Sequence, residues 1–201
     1  MTMTAERTAS VDFAAARRAM IDSQLRPSGV TEAGVVEAMA RIPREDYVPT
    51  AARGHAYIDR AIPLGGGHSL PAPLFHGRAL VEAAPTAADK VLIVSCGSNY
   101  LAALVTPLVA SVTTVSAADA AAGKTRGSYS LILVDGAIEQ LPDNLAARLA
   151  DAGRLVTGLV ERGVTRLALG RKTAGAVALL PLAEMGIPVL AEFAAPKRWS
   201  F

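Results

Sequence analysis

Apolar positions recur at helical spacing early in this chain and in short β-branched runs later, and the change of period divides it in two. In residues 12–24, Phe13, Ala16, Met20 and Ile21 share one helical face, with Asp12 placed as the N-cap and Arg26-Pro27 as the stop. A second helix follows, capped by Thr31, with Val35, Val36, Met39 and Ile42 on its apolar face. Pro43 ends it, because the residue before a proline disfavours the α region. Residues 44–60 are mixed and broken by Pro49 and Gly54, and 64–73, with Gly65-Gly66-Gly67, reads as a loop. Residues 74–84 form a third helix, leading to Pro85.

Strand and helix then alternate. The pattern predicts strands at 91–95, 112–116, 131–135 and 154–159, helices at 100–109 and 141–150, and a hairpin of 164–170 with 176–181. Interleaving of this kind makes a mostly parallel sheet with helices on both faces, and the closing hairpin makes an antiparallel edge. The expected fold is a single α/β domain: residues 1–85 form an N-terminal helical cap with a Gly-rich loop, and 86–201 a Rossmann-like sheet with a C-terminal hairpin.

Composition narrows the function. A chain of 201 residues can bury one substantial core. Its 20 Lys and Arg against 18 Asp and Glu are scattered, which leaves no basic stripe for nucleic acid. One Cys excludes an internal disulfide framework, and three His without ligand spacing offer no metal site. There is no leader-like apolar segment and no apolar run of about 18 residues, so a cytoplasmic protein away from membranes is expected. Oligomeric state is not legible.

The stretch 91–100, Val-Leu-Ile-Val-Ser-Cys-Gly-Ser-Asn-Tyr, has the form of a buried parallel strand whose turn opens onto a helix, the place where nucleotides approach in such sheets. Other phrases carry a family resemblance: Met20-Ile-Asp-Ser-Gln-Leu-Arg26, Ile42-Pro-Arg-Glu-Asp-Tyr-Val-Pro49, Ala56-Tyr-Ile-Asp59, and Ile62-Pro-Leu-Gly65 running into a Gly-rich turn. Further on come Val134-Asp-Gly-Ala137, Leu141-Pro142, Gly153-Arg-Leu-Val156, Ile187-Pro-Val-Leu-Ala-Glu-Phe193 and Trp199-Ser-Phe201. Together they resemble the protein-L-isoaspartate O-methyltransferase family, in a divergent, shortened bacterial form. The resemblance implies a Rossmann-like methyltransferase sheet under an N-terminal cap. It also implies S-adenosylmethionine as cofactor, and methyl esterification of isoaspartyl carboxylates in damaged proteins as the ancestral reaction. Such chemistry is mostly positioning, a carboxylate oxygen held behind the sulfonium methyl.

Three features of the family are altered. Its loop carries a serine near the reacting carboxylate, where this chain has Pro71, which lacks a hydroxyl and an N–H. Ser69 and His68 are the remaining catalytic candidates, against the simpler reading of polar loop residues. The inherited cofactor positions are Ser95, Gly97, Ser98, Asn99, Ser116 and Asp135. Of a G-x-G-x-G pattern only Gly97 survives, Asn99 replaces the last glycine as a residue tolerant of left-handed backbone, and Ser116 replaces the acidic residue that grips the ribose. Cys96 reads as a small buried filler.

The third alteration is a length. Residues 117–130 suffice for one crossover and little else, so the third strand is expected to be deleted, giving an order 2-1-4-5 with the hairpin beyond. The second strand would then expose an apolar patch, and adenine would lie against solvent. Losing the ribose grip costs roughly 1.5 to 3 kcal/mol, and about 1.4 kcal/mol is a factor of ten in affinity. These losses favour an impaired or non-catalytic family member with a scaffold or interaction role and an unknown protein partner. The alternatives are an active carboxyl methyltransferase acting on isoaspartyl protein or peptide, and a pocket lined by residues 65–69 and Asp135-Gly136 that binds another small ligand.

Overall fold

The computed structural model describes residues 12–195; Trp199-Ser-Phe201 and the residues before Asp12 lie outside them. The cap begins with α1 (Phe13–Met20), where Asp12 accepts the Ala15 N–H at 2.9 Å as expected of an N-cap. The helix widens into a π turn over Ile21–Leu25 and tightens at Arg26–Ser28, closed by Gly29 at φ +82°. Helix α2 (Ala33–Arg41) starts later than its expected cap Thr31, with Glu32 at the N-cap position. Residues 44–60 hold two short 3-10 segments, Arg44–Tyr47 and Thr50–His55.

The stretch expected to be a plain loop is a hairpin, β1 (Ile62–Gly65) with β2 (His68–Leu70), paired antiparallel. Gly65, Gly66 and Gly67 all have positive φ, so the glycines make this reversal rather than merely loosening it. Helix α3 (Pro73–Ala83) follows with Pro at its first position.

The sheet begins with β3 (Lys90–Ser95), α4 (Tyr100–Val105), β4 (Ser111–Ser116) and α5 (Ala117–Ala121). It continues with β5 (Tyr129–Ile138), α6 (Asp143–Ala146), β6 (Leu149–Glu161), β7 (Val164–Thr173) and β8 (Ala176–Glu184). The order is β4-β3-β5-β6-β7-β8, with the first four parallel and the last two antiparallel. Between α5 and β5 there are only turns. The third strand of the family pattern is therefore absent, and β4 is an edge.

Two expectations need correction. Residues 147–150 do not extend a helix: α6 is a single turn, and Leu149 already pairs with Tyr129 at the foot of β5, so sheet pairing overrides the local spacing. The bared β4 shows no apolar patch. Its outward positions are Ser and Thr with Val112 and Val115 half-buried, and among the described residues the exposed large apolar ones are Ile58, Leu180, Leu182 and Val189. The edge is made safe by polarity rather than by cover.

Beneath the sheet's amino end, Asp89 ties three elements together. Its carboxylate accepts from Thr86 N–H and hydroxyl, Ser130 Oγ, and both Nη of Arg154, which also reaches the carbonyls of Ala83 and Ala84. Burial alone would raise the Asp89 pKa, but the bonds from Arg154, Ser130 and Thr86 outweigh it and hold the carboxyl well below the usual range. No described helix is long and apolar enough to cross a membrane.

Candidate functional site

In open sheets of this kind ligands bind outside the strand carboxyl ends, where the order reverses. Here that switch lies between β3 and β5, since the chain passes from β3 outward to β4 and then back across to β5. The β3 exit turn bends through Gly97 at φ +97°. Its polar groups serve the turn itself. Ser95 Oγ accepts the Gly97 N–H at 3.0 Å and donates to the Ser98 carbonyl at 2.8 Å; Ser98 Oγ donates to the Tyr47 carbonyl and accepts the Tyr100 N–H, both at 3.3 Å. Asn99 is exposed and has φ −93°, so its tolerance of left-handed backbone is not called upon. Ser116 caps α5, its Oγ accepting the Asp119 N–H at 3.1 Å.

Asp135 lies fully buried at the other side of the switch and faces inward. Its Oδ1 accepts from His76 Nε2 at 2.8 Å, and its Oδ2 takes the Cys96 thiol at 3.1 Å. His76 Nδ1 in turn faces Arg44 Nη1 at 3.2 Å. Arginine can only donate, so Nδ1 is the acceptor and the ring carries its proton on Nε2. Arg44, wholly buried, also donates to the carbonyls of Ala56 at 2.8 Å and Pro71 at 2.6 Å, and its guanidinium lies 4.9 Å from the centre of the Tyr100 ring. Burial pushes the Cys96 thiol far up, and the Asp135 charge adds to this, so the filler role read for Cys96 gains a hydrogen bond but no reactivity. Burial likewise pushes the Tyr100 hydroxyl up to about 12, against the pull of Arg44.

Sequence reading missed His76 and Arg44. His76 sits on the buried face of α3 between Phe75 and Ala79, where spacing alone reads as core, and its partner is 59 residues away. The usable signal was a charge without an exposed face, in the Ile42-Pro-Arg phrase.

Burial holds the His76 pKa below its ordinary 6.5, more strongly than Asp135 raises it. The unfolded chain therefore takes up a proton below pH 6.5 that the folded one refuses, and stability falls as pH drops through that window. A His76→Gln variant should lose this limb of the stability curve, measured by urea unfolding between pH 7 and 5. An unchanged slope would show that His76 is not the titrating group.

The hairpin and the chain's last described segment close over the switch. His68 Nε2 is 3.5 Å from Glu192 Oε1, and a side chain placed at Gly97 would meet His68 at 3.8 Å and Leu64 at 3.9 Å. Pro71 is buried with its carbonyl on Arg44. Ser69 lines a cleft of about 540 Å3 with Asp59, Arg60, Thr165 and Met185, in which neither Gly97 nor Ser116 takes part. The structure thus separates Ser69 from the inherited cofactor positions and draws Asp135 away from the pocket foreseen beside Gly136. Among the described residues no cluster of His, Cys, Asp and Glu could hold a metal ion.

A parallel sheet with this switch and a closing antiparallel hairpin defines a Rossmann-like α/β fold. Within that class, the family model of protein-L-isoaspartate(D-aspartate) O-methyltransferase matches residues 15–122, and the chain belongs to this family. A relative from Roseiflexus castenholzii, named protein-L-isoaspartate O-methyltransferase, is 35% identical over 174 residues, covering 73% of this chain and 78% of its own length. One of the same name from Koribacter versatilis is 34% identical over 188 residues, covering 81% and 85%. In both cases the matched length exceeds that share of 201 residues, so the relatives carry residues within the span that this chain lacks. A Plasmodium falciparum structure described as a protein of this family, in complex with S-adenosyl-L-homocysteine, superposes with TM-score 0.72 at 16% identity. The superposition covers 91% of this chain and all of that one.

Proposed function

We propose that this chain is a family member in which methyl transfer is impaired, and that its role rests on interaction with an unidentified protein partner rather than on turnover. The family's cofactor is S-adenosylmethionine and its substrates are isoaspartyl proteins. The residues here do not fit that cofactor in the family's manner. Ser116 offers a neutral hydroxyl already engaged on α5, and β4 is an edge with no strand beyond it to wall the adenine. The missing strand carries the reading, because no side-chain substitution restores a wall. Pro71 in place of the serine removes a hydroxyl from the loop as well. A cytoplasmic location, expected from the sequence, belongs to this same reading.

Calorimetric titration with S-adenosylmethionine and S-adenosylhomocysteine should show no saturation below about 1 mM, given the affinity arithmetic above. With an isoaspartyl peptide and excess cofactor, the native chain and a Pro71→Ser variant should both release no methanol above a blank without protein. Repairing one half of the site leaves the other reactant unplaced. Turnover by the native chain would return it to the active carboxyl methyltransferases, and turnover by the variant alone would mean that the cofactor place is intact.

A further inference from the structure

We propose that β4 is the seat of a homodimer, in which the β4 strand of a second copy pairs antiparallel along its open edge, in the place the absent third strand leaves free. On its inner side β4 pairs with β3 in unbroken register, from Ser111 opposite Lys90 to Ser116 opposite Ser95. No described strand lies on its outer side. The Ser111 N–H turns inward to the Asp89 carbonyl at 3.3 Å, and strand backbone alternates, so Thr113 and Val115 also face β3 while Val112, Thr114 and Ser116 direct their N–H groups outward. Proteins commonly blunt such an edge with a charge, a proline or a bulge. The opposite edge of this sheet is blunted in that way: β8 carries Pro181, and its ladder with β7 slips between Leu167 and Ala168. β4 has none of these devices. No Asp, Glu, Lys, Arg or His occurs from Val91 to Ala118, and the first charge beyond, Asp119, is paired with Lys124 at 2.8 Å. The hydroxyls of β4 guard against indiscriminate apolar contact, but they leave its backbone row open.

That row is complementary to itself. Antiparallel strands related by a two-fold axis place one residue opposite its own copy. With Thr114 on the axis, Val112 lies opposite the partner's Ser116, and each outward N–H meets a carbonyl across the axis. Thr113 then lies against the partner's Val115 at the closer, non-hydrogen-bonded positions, a β-branched pair that covers a half-buried valine. Like charges placed opposite one another are the usual bar to such pairing, and here there are none. The added strand runs against β4, so it brings an amino end rather than a binding turn to the carboxyl side of the sheet, and leaves the impaired reading as it stands.

The proposal goes beyond impaired turnover and does not rest on it, since pairing is measured without cofactor. Sedimentation equilibrium should show the native chain passing from one copy to two as its concentration rises through about 10 μM. Thr114 is exposed on the strand, so its substitution spares the core. Thr114→Lys and Thr114→Glu should each keep the native urea midpoint and pair about tenfold more weakly or less, because like charges then meet at the axis. Mixed in equal amounts the two variants should pair again, since the axis then sets lysine against glutamate. A native chain that stays single at about 100 μM would overturn the proposal, and that measurement needs no variant. So would a dimer that both variants keep, or separated variants that fail to pair on mixing. Methanol release by a native chain that pairs as expected would uphold the dimer and defeat the impaired reading alone.

Discussion

An Arg44→Ala variant is expected to lose about 3 to 5 kcal/mol of stability, a large part of the roughly 5 to 15 kcal/mol that holds a domain folded. The side chain is wholly buried and distributes its donors to the Ala56 and Pro71 carbonyls and His76 Nδ1. Removing it leaves those three acceptors in a dry interior and Asp135 without its nearby cation. It also unties the 3-10 segment at Arg44–Tyr47 from the hairpin's exit, so the cap loses its hold on the sheet. Arg44→Lys should cost less than alanine but remain well short of native, because one ammonium cannot reproduce the planar fork. Urea unfolding would read both as lower midpoints at constant slope. A loss under about 1 kcal/mol for alanine, the level of a surface pair, would remove the cluster from any central structural role.

Asp89→Ala should cost about 3 kcal/mol, for a related reason at the opposite end of the sheet. Its carboxylate is nearly inaccessible and collects Arg154, Ser130 and Thr86, so alanine strands an arginine and two hydroxyls at once. The pH dependence separates it from the His76 effect. The folded-state pKa of Asp89 lies below its ordinary 3.8, so its contribution is complete above that value and is lost as pH falls further. The gap between native chain and variant should therefore hold from pH 7 to 5 and close below about pH 4. His76 acts earlier, below 6.5, in both proteins. A gap that persisted to pH 2 would show that packing, not charge, is what Asp89 supplies.

Much of the fold was legible because its signals are local. The unbroken apolar run of Leu92-Ile93-Val94 cannot serve as a half-exposed strand, and the short crossover after Ser116 leaves no room for another strand in any packing. Chain length settled topology there. The end of the expected helix over 141–150 and the paired state of the 62–70 stretch were not legible, because partners distant in sequence decide both.

The site divides along the same line. Residue chemistry along the sequence determined which functional groups the family position retains: no hydroxyl at Pro71, no carboxylate at Ser116, one glycine at Gly97. Those statements need no coordinates, since a missing group is missing in every conformation. Only the tertiary structure decided where the groups that are present point. Asp135 is an acid at a strand end by sequence, but folding sets it against His76 and Cys96 and away from the crevice. Val189 and Leu190 are ordinary apolar residues near a chain end, and become an added rung on β5 because β3 stops at Ser95 and leaves an edge to satisfy. Direction, burial and backbone pairing are properties of elements brought together from far apart in the chain, and no local pattern of hydrophobic and polar positions encodes them.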